Sequence, residues 1–200
     1  MCGIAGLIHR GKSSNVGEEL QHMLQALKHR GPDSTGYALY ANNDGQNFIL
    51  RFKVGENVGE GSTSVNEDES VYDERKKIVD KKLSELGALV VKEEKLTPYS
   101  YRYEIKFDKD LMDFSKAIES IPSVEILSIG KSLELIKDLG DATVVSERYG
   151  LNKVQGTHGI GHARMATESG VDIKSAHPFW GYPFADVSVV HNGQLTNYWN

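Results

Sequence analysis

Five residues alternate over nine positions: Tyr99, Tyr101, Tyr103, Ile105 and Phe107. Side chains of period two predict a strand with one face buried. The elements around it constrain the fold further. Residues 71–86 are charged but carry Ile78, Val79, Leu83 and Leu86 in helical register, and Ala88 to Val91 is a short apolar strand. Leu111 to Ile121 reads as a helix ending before Pro122, and Val124 to Ile129 as another strand. With a strand from Phe48 to Val54 leading in, the order is β-α-β-β-α-β, the split βαβ unit. Ser132 to Leu139 reads as one more short helix, stopped by Gly140.

The flanks are different in character. Cys2 to Ile8 is small and apolar, a buried strand with glycines where something comes close. Ser13-Ser14-Asn15 is a turn and a helix cap. Leu20, Met23, Leu24 and Leu27 recur at helical spacing between Gly17 and His29, before Gly31-Pro32-Asp33 stops the helix. Gly36 to Tyr40 reads as a strand. Residues 55–70 are glycine- and acid-rich, without the following lysine or βαβ context of a phosphate loop, and read as a linker. Gly156 to Arg164 is a small, polar run. Val187 to His191 is a strand turned by Asn192-Gly193. Two hundred residues fit one large domain, or one domain with a smaller insert.

Composition excludes several classes. Hydrophobic residues are 39% and charged residues 26% of the chain, ordinary for a soluble globular protein. The net charge of -5, with the signs interspersed, gives no basic footprint for nucleic acid. No apolar run approaches the roughly 20 residues that span a bilayer. The first apolar stretch is short and runs into His9-Arg10-Gly11-Lys12, unlike a secretory signal. A cytoplasmic location is expected. The single cysteine allows no internal disulfide and no cysteine-based metal site.

That cysteine is residue 2. Removal of Met1 would put a thiol and a free α-amine on one residue. An α-amine has a reference pKa of about 7.7–8.0 and can serve as base beside an intrinsically nucleophilic thiol. Position alone favours a small buried cysteine over a nucleophile. His29-Arg30-Gly31-Pro32-Asp33-Ser34-Thr35-Gly36 packs an Arg, an Asp and two hydroxyls around two glycines, which a plain helix stop does not need. In Gly161-His162-Ala163-Arg164-Met165-Ala166-Thr167 the Arg fork can meet a carboxylate, with the Thr167 hydroxyl beside it. His177 sits in a rigid Ser175-Ala176-His177-Pro178-Phe179 turn. Asn192-Gly193, at a strand end, is either a hairpin turn or a pair of oxyanion donors.

Taken in order, these four motifs resemble those of the class II glutamine amidotransferases, a branch of the N-terminal nucleophile hydrolases. The resemblance covers roughly residues 2–40 and 156–200. It implies an α+β fold: a four-layer α-β-β-α sandwich, with Cys2 opening a central strand and a small α+β module inserted. The division it implies is 1–52 and 153–200 for the amidotransferase domain and 53–152 for the insert. By position, Cys2 resembles the nucleophile, with its own α-amine as base. Arg164 resembles the arginine that grips the glutamine α-carboxylate, with Thr167 beside it. Asn192 and Gly193 resemble the oxyanion hole, and His177 a histidine lining the glutamine pocket. Arg30 and Asp33 resemble residues bracing the nucleophile strand and the glutamine loop.

The family's ammonium-binding Asp is expected beyond Asn200, and Glu168 stands where relatives carry other polar residues. A helix is expected to start in Leu195-Thr196-Asn197-Tyr198, so these residues are expected to be part of a longer protein. Residues 124–131, 145–151 and 163–169 resemble the amidotransferase proteins of archaeal-type glutamate synthases and N-methylglutamate synthases. That implies L-glutamine as substrate and ammonia passed to an FMN-dependent synthase subunit or domain. FMN is expected there, with no cofactor and no metal in this chain. The other readings are a different ammonia acceptor, as in asparagine, amino-sugar or phosphoribosylamine synthesis, or a non-catalytic amidotransferase-like subunit that binds and regulates.

Overall fold

Glycine builds the first sheet. In a computed structural model, residues 2–31, 33–55, 68–165, 173 and 175–193 are described. The first sheet has the order β1-β8-β2-β7, all antiparallel, from β1 (Gly3–Ile8), β2 (Ser34–Ala41), β7 (Leu133–Leu139) and β8 (Gly156–Arg164). Helix α1 (Val16–Ala26) lies on it. A Cβ on Gly161 would stand 2.5 Å from Leu24 Cδ1, so the missing side chain is what lets α1 approach. A Cβ on Gly17 would fall 1.8 Å from the Leu151 carbonyl oxygen, so the helix itself carries one such contact. Leu20 and Leu24 are fully buried there with Tyr37, Leu39, Ile136 and Val145.

Aromatic side chains fill the second sheet. Its order is β4-β5-β3-β6, from β3 (Phe48–Lys53), β4 (Leu89–Thr97), β5 (Ser100–Lys106) and β6 (Glu125–Gly130). Helices α2 (Glu69–Leu86) and α3 (Leu111–Glu119) complete the chain order β3-α2-β4-β5-α3-β6. With every pairing antiparallel, this is the split βαβ unit expected from the sequence. Phe52, Tyr101 and Tyr103 are fully buried and meet ring to ring at 5.0–6.2 Å. Each of the four α-helices among the described residues starts on an Asn or Asp that accepts a backbone N–H: Asn15, Asp68, Asp110 and, for α4 (Ala142–Tyr149), Asp141.

Three sequence readings change. Residues 132–139 are expected as a helix, but Leu133–Leu139 form strand β7. Their apolar spacing fits either period, and pairing with β2 along seven residues decides it. The Asp186 carboxylate fixes the preceding turn by accepting the N–H groups of Lys131, Ser132 and Leu133 at 2.7–3.0 Å. Burial works against that carboxylate's charge, but these donors hold its pKa below the ordinary value. The polar run 156–164 is the inner strand β8. The expected strand from 187 to 191 is two residues, β10 (Ser188–Val189), paired with β9 (Phe179–Trp180).

The chain is therefore α+β, with antiparallel sheets and four helices among the described residues, an arrangement compatible with a sandwich. Strand β1 has β8 on one side, and no strand among the described residues pairs with its other edge, whereas the resemblance implied a central strand. Strand β3 belongs to the second sheet, and β7 and α4 pack with the first.

The sheets meet at a charged seam. Arg51 on β3 and Arg102 on β5 both donate to Glu134 on β7, Arg102 at 2.9 Å. Lys53 and Lys137 reach Glu125 at 2.9 and 3.1 Å. Burial pushes Glu134 up, but Arg51 and Arg102 outweigh it and hold the carboxyl at about 2.

Candidate active site

Alternation on β8 sorts its residues between two faces. Gly159, Gly161 and Ala163 face α1, and His158, Ile160, His162 and Arg164 face the other way. On β1 a Cβ on Gly3 would meet Leu27 at 3.1 Å, so Gly3 faces α1 and its neighbours Cys2 and Ile4 share the face of His162 and Arg164. Gly3 pairs with Ala163, and continuing that register sets Cys2 across from Arg164. The Cys2 thiol is half-buried and points at the Met165 carbonyl, 3.8 Å away. Arg164 is 6% exposed.

Two further segments converge on this end of the sheet. Arg30 closes a single 3-10 turn, Lys28–Arg30. Gly31 follows, and a Cβ on it would stand 2.5 Å from the backbone of Ala163 and Arg164. Asp33 then donates its N–H to the Arg164 carbonyl at 3.1 Å and accepts one from Gly140 at 3.1 Å. Arg30 and Asp33 thus flank the point where the loop rests on β8. From the other side, the Asn192 side-chain amide donates to the Cys2 carbonyl at 3.0 Å. An amide has two N–H groups, so one remains for a second acceptor. Gly193 follows directly, with φ at 155°.

His177 stands one row along. Its carbonyl oxygen lies 1.9 Å from where a Cβ on Gly36 would be, so the chain crosses β2 at a glycine. Its ring lies 4.8 Å from that of His162 and 4.5 Å from that of Phe179. Burial, then nearby positive charge, lowers both histidines to about 4, so both are neutral at pH 7.

The structure thus brings Cys2, Arg164, Asn192, Gly193, Arg30 and Asp33 to one end of the first sheet, with His177 beside them. Thr167, Met1, Glu168, the linker residues 56–67 and the expected helix at 195–198 lie outside the described residues. Two neighbours were missed. His162 belongs to the β8 alternation, whose signal was the small residue at every second position from Gly159 to Ala163. Ser34 pairs with Arg164 on β2, is fully buried, and its hydroxyl has no partner among the described residues.

Residues 1–48 match a family model described as a glutamine amidotransferase domain. A protein of Methanothermobacter thermautotrophicus, provisionally named a glutamine amidotransferase, is 37% identical over all of this chain and 63% of its own length. The glutamine amidotransferase-like protein GlxB of Rhizobium meliloti is 32% identical over all of this chain and 61% of its own length. The chain spans about three-fifths of the length of these relatives. A glutamine–fructose-6-phosphate aminotransferase of Methanococcus maripaludis is 32% identical over 46% of this chain and 16% of its own length. Among the described residues no helix is long and apolar enough to cross a membrane.

Proposed function

We propose that this chain carries the glutamine-hydrolysing site of a class II glutamine amidotransferase. The observation that carries the reading is the Asn192 amide on the Cys2 carbonyl, with Cys2 placed across from Arg164 one step beyond the Gly3–Ala163 pair of β1 and β8. After loss of Met1, the Cys2 thiol gives its proton to its own α-amine and attacks the side-chain amide carbon of glutamine. The amine passes that proton to the leaving ammonia, which leaves a glutamyl thioester. Water then cleaves the thioester and releases glutamate. Arg164 takes the substrate α-carboxylate through its two-pronged fork, with Thr167 beside it. The second N–H of Asn192 and the Gly193 N–H stabilise the oxyanion, each worth about 3 kcal/mol in such sites. His177, neutral, lines the pocket, and Arg30 and Asp33 brace it.

In this reading the first sheet is one layer of the four-layer sandwich, and the split βαβ unit, residues 48–130, is the insert. The two relatives aligned along the whole chain support an amidotransferase that shares this insert. The sugar-phosphate relative aligns over less than half of it, which favours a different acceptor. We propose an FMN-dependent synthase subunit of the glutamate synthase type as the partner that receives ammonia, with the flavin on that partner. The test is ammonia release from glutamine by full-length protein, wild type against Cys2→Ala. Equal rates, or active protein retaining Met1 by mass spectrometry, would overturn the nucleophile assignment.

A further inference from the structure

One row of the first sheet runs across all four strands. Ile4 on β1 pairs with His162 on β8, His162 with Gly36 on β2, and Gly36 with Lys137 on β7. The His177 backbone crosses this row at Gly36, where no side chain intervenes. On one flank the His177 ring meets His162 at 4.8 Å. On the other it meets the edge or face of Phe179 at 4.5 Å, and Lys137 Nζ sits 4.8 Å from the centre of that same Phe179 ring.

Phe179 needs such a holder. It belongs to a two-residue strand and is 37% exposed, so burial alone does not fix its ring. Lys137 can fix it, because Lys137 is itself fixed. The side chain is almost wholly buried, and Glu125 of the split βαβ unit takes its ammonium at 3.1 Å. A cation on an aromatic face is attracted by the ring quadrupole, more strongly where water is excluded.

We infer that Lys137 is a positioning residue for the glutamine pocket: its ammonium, anchored on Glu125, holds the Phe179 ring, which sets the orientation of His177. The inference rests on the proposed glutamine site. It also gives the inserted unit a physical connection to that site, through Glu125.

The test uses full-length protein and three variants. Lys137→Met keeps the length of the stem and leaves Glu125 paired with Lys53 at 2.9 Å, so the seam does not strand a carboxylate. It is expected to raise KM for glutamine about tenfold with kcat within about twofold. Lys137→Arg keeps the cation and is expected to restore KM. Phe179→Leu is expected to raise KM equally, and the double variant Lys137→Met/Phe179→Leu is expected to add nothing further, because both act through one contact. Unchanged KM in Lys137→Met, an equal loss of kcat, or additive losses in the double variant would overturn the inference.

The His177 ring provides a readout that needs no activity. Burial first, then the charges of His162, Lys137, His191 and Arg164, lower its pKa. Loss of the Lys137 charge raises it whatever the ring's orientation, so the deciding variant is Phe179→Leu, which removes no charge and is expected to shift the His177 titration followed by NMR. An unmoved titration overturns the positioning role even where glutamine is hydrolysed. A titration that shifts in Phe179→Leu, where the wild-type protein releases no ammonia, supports the positioning of His177 and overturns the glutamine reading alone.

Discussion

On β8, Gly159 and Gly161 leave room for the Leu20 and Leu24 side chains of α1 to press onto bare backbone, while on β5 Tyr101, Tyr103 and Ile105 fill the space under α2 and α3 themselves. The first sheet is close-packed by omission and the second by bulk. The difference follows what each sheet carries. Strands that approach a helix through glycine leave their other face to hold polar groups: Cys2, His162 and Arg164 all stand on the face away from α1. The second sheet spends its inner face on side-chain volume, and its other face on Arg51, Lys53 and Arg102 at the seam. A sheet of this kind is a stable support, and the first sheet is where small side-chain changes alter chemistry.

That contrast can be broken at four points, the first of them at the site itself. Arg164→Ala is expected to lower kcat/KM for glutamine by at least about 30-fold, from loss of a buried charge-assisted contact, mainly through KM. Steady-state ammonia release checks it, and an unchanged KM would put the substrate carboxylate elsewhere. In the second sheet, Phe52→Ala removes a fully buried ring and is expected to cost about 3–5 kcal/mol in chemical denaturation. Its KM for glutamine is expected to stay as in wild type, and a raised KM would mean that the support shapes the site directly.

Gly161→Ala tests the opposite principle. An added methyl would meet Leu24 Cδ1 at 2.5 Å, so a change that stabilises many exposed positions is expected here to cost about 1–3 kcal/mol. A neutral or stabilising result in the same denaturation experiment would remove close approach as the reason for the glycines. The fourth test is in pH. His162 and His177 have folded pKa values near 4, below the ordinary 6.5, so the unfolded chain takes protons first as pH falls. Their stability contribution is complete above about 6.5 and is lost between there and about 4. Glu134, held at about 2 against an ordinary 4.5, gives a separate loss between those two values. Denaturation midpoints against pH should show both windows. Glu134→Gln should narrow the lower one, to which Glu125 and Asp186 also contribute, and leave the upper, and loss of both windows together would mean that the seam and the histidine row are one coupled unit.

Much of the second region was legible before any coordinates. The nine-residue alternation through Tyr103, the helical register of Val79 and Leu83, and the stop at Pro122 each report a local period, and together they predict the split βαβ order that the strands adopt. The first region was legible in its motifs more than in its elements. Cys2, Arg164 and Asn192 were marked by residue type and order, yet the strand carrying Arg164 was not recognised, because glycine at alternate positions does not read as hydrophobic alternation. Residues 133–139 failed for a different reason: their spacing fits a helix or a strand, and only the ladder with β2 chooses.

The sequence by itself determined the local periods, the helix caps at Asn and Asp, and which residue types were available for chemistry, since each of these depends on neighbours a few positions away. Tertiary structure alone decided that Cys2 faces Arg164, that His177 crosses the sheet at Gly36, and that Lys137 stands between Glu125 and Phe179. Those facts join residues from 12 to more than 150 positions apart in the chain. They follow from strand register, in which a shift of one residue would turn each of these side chains to the opposite face.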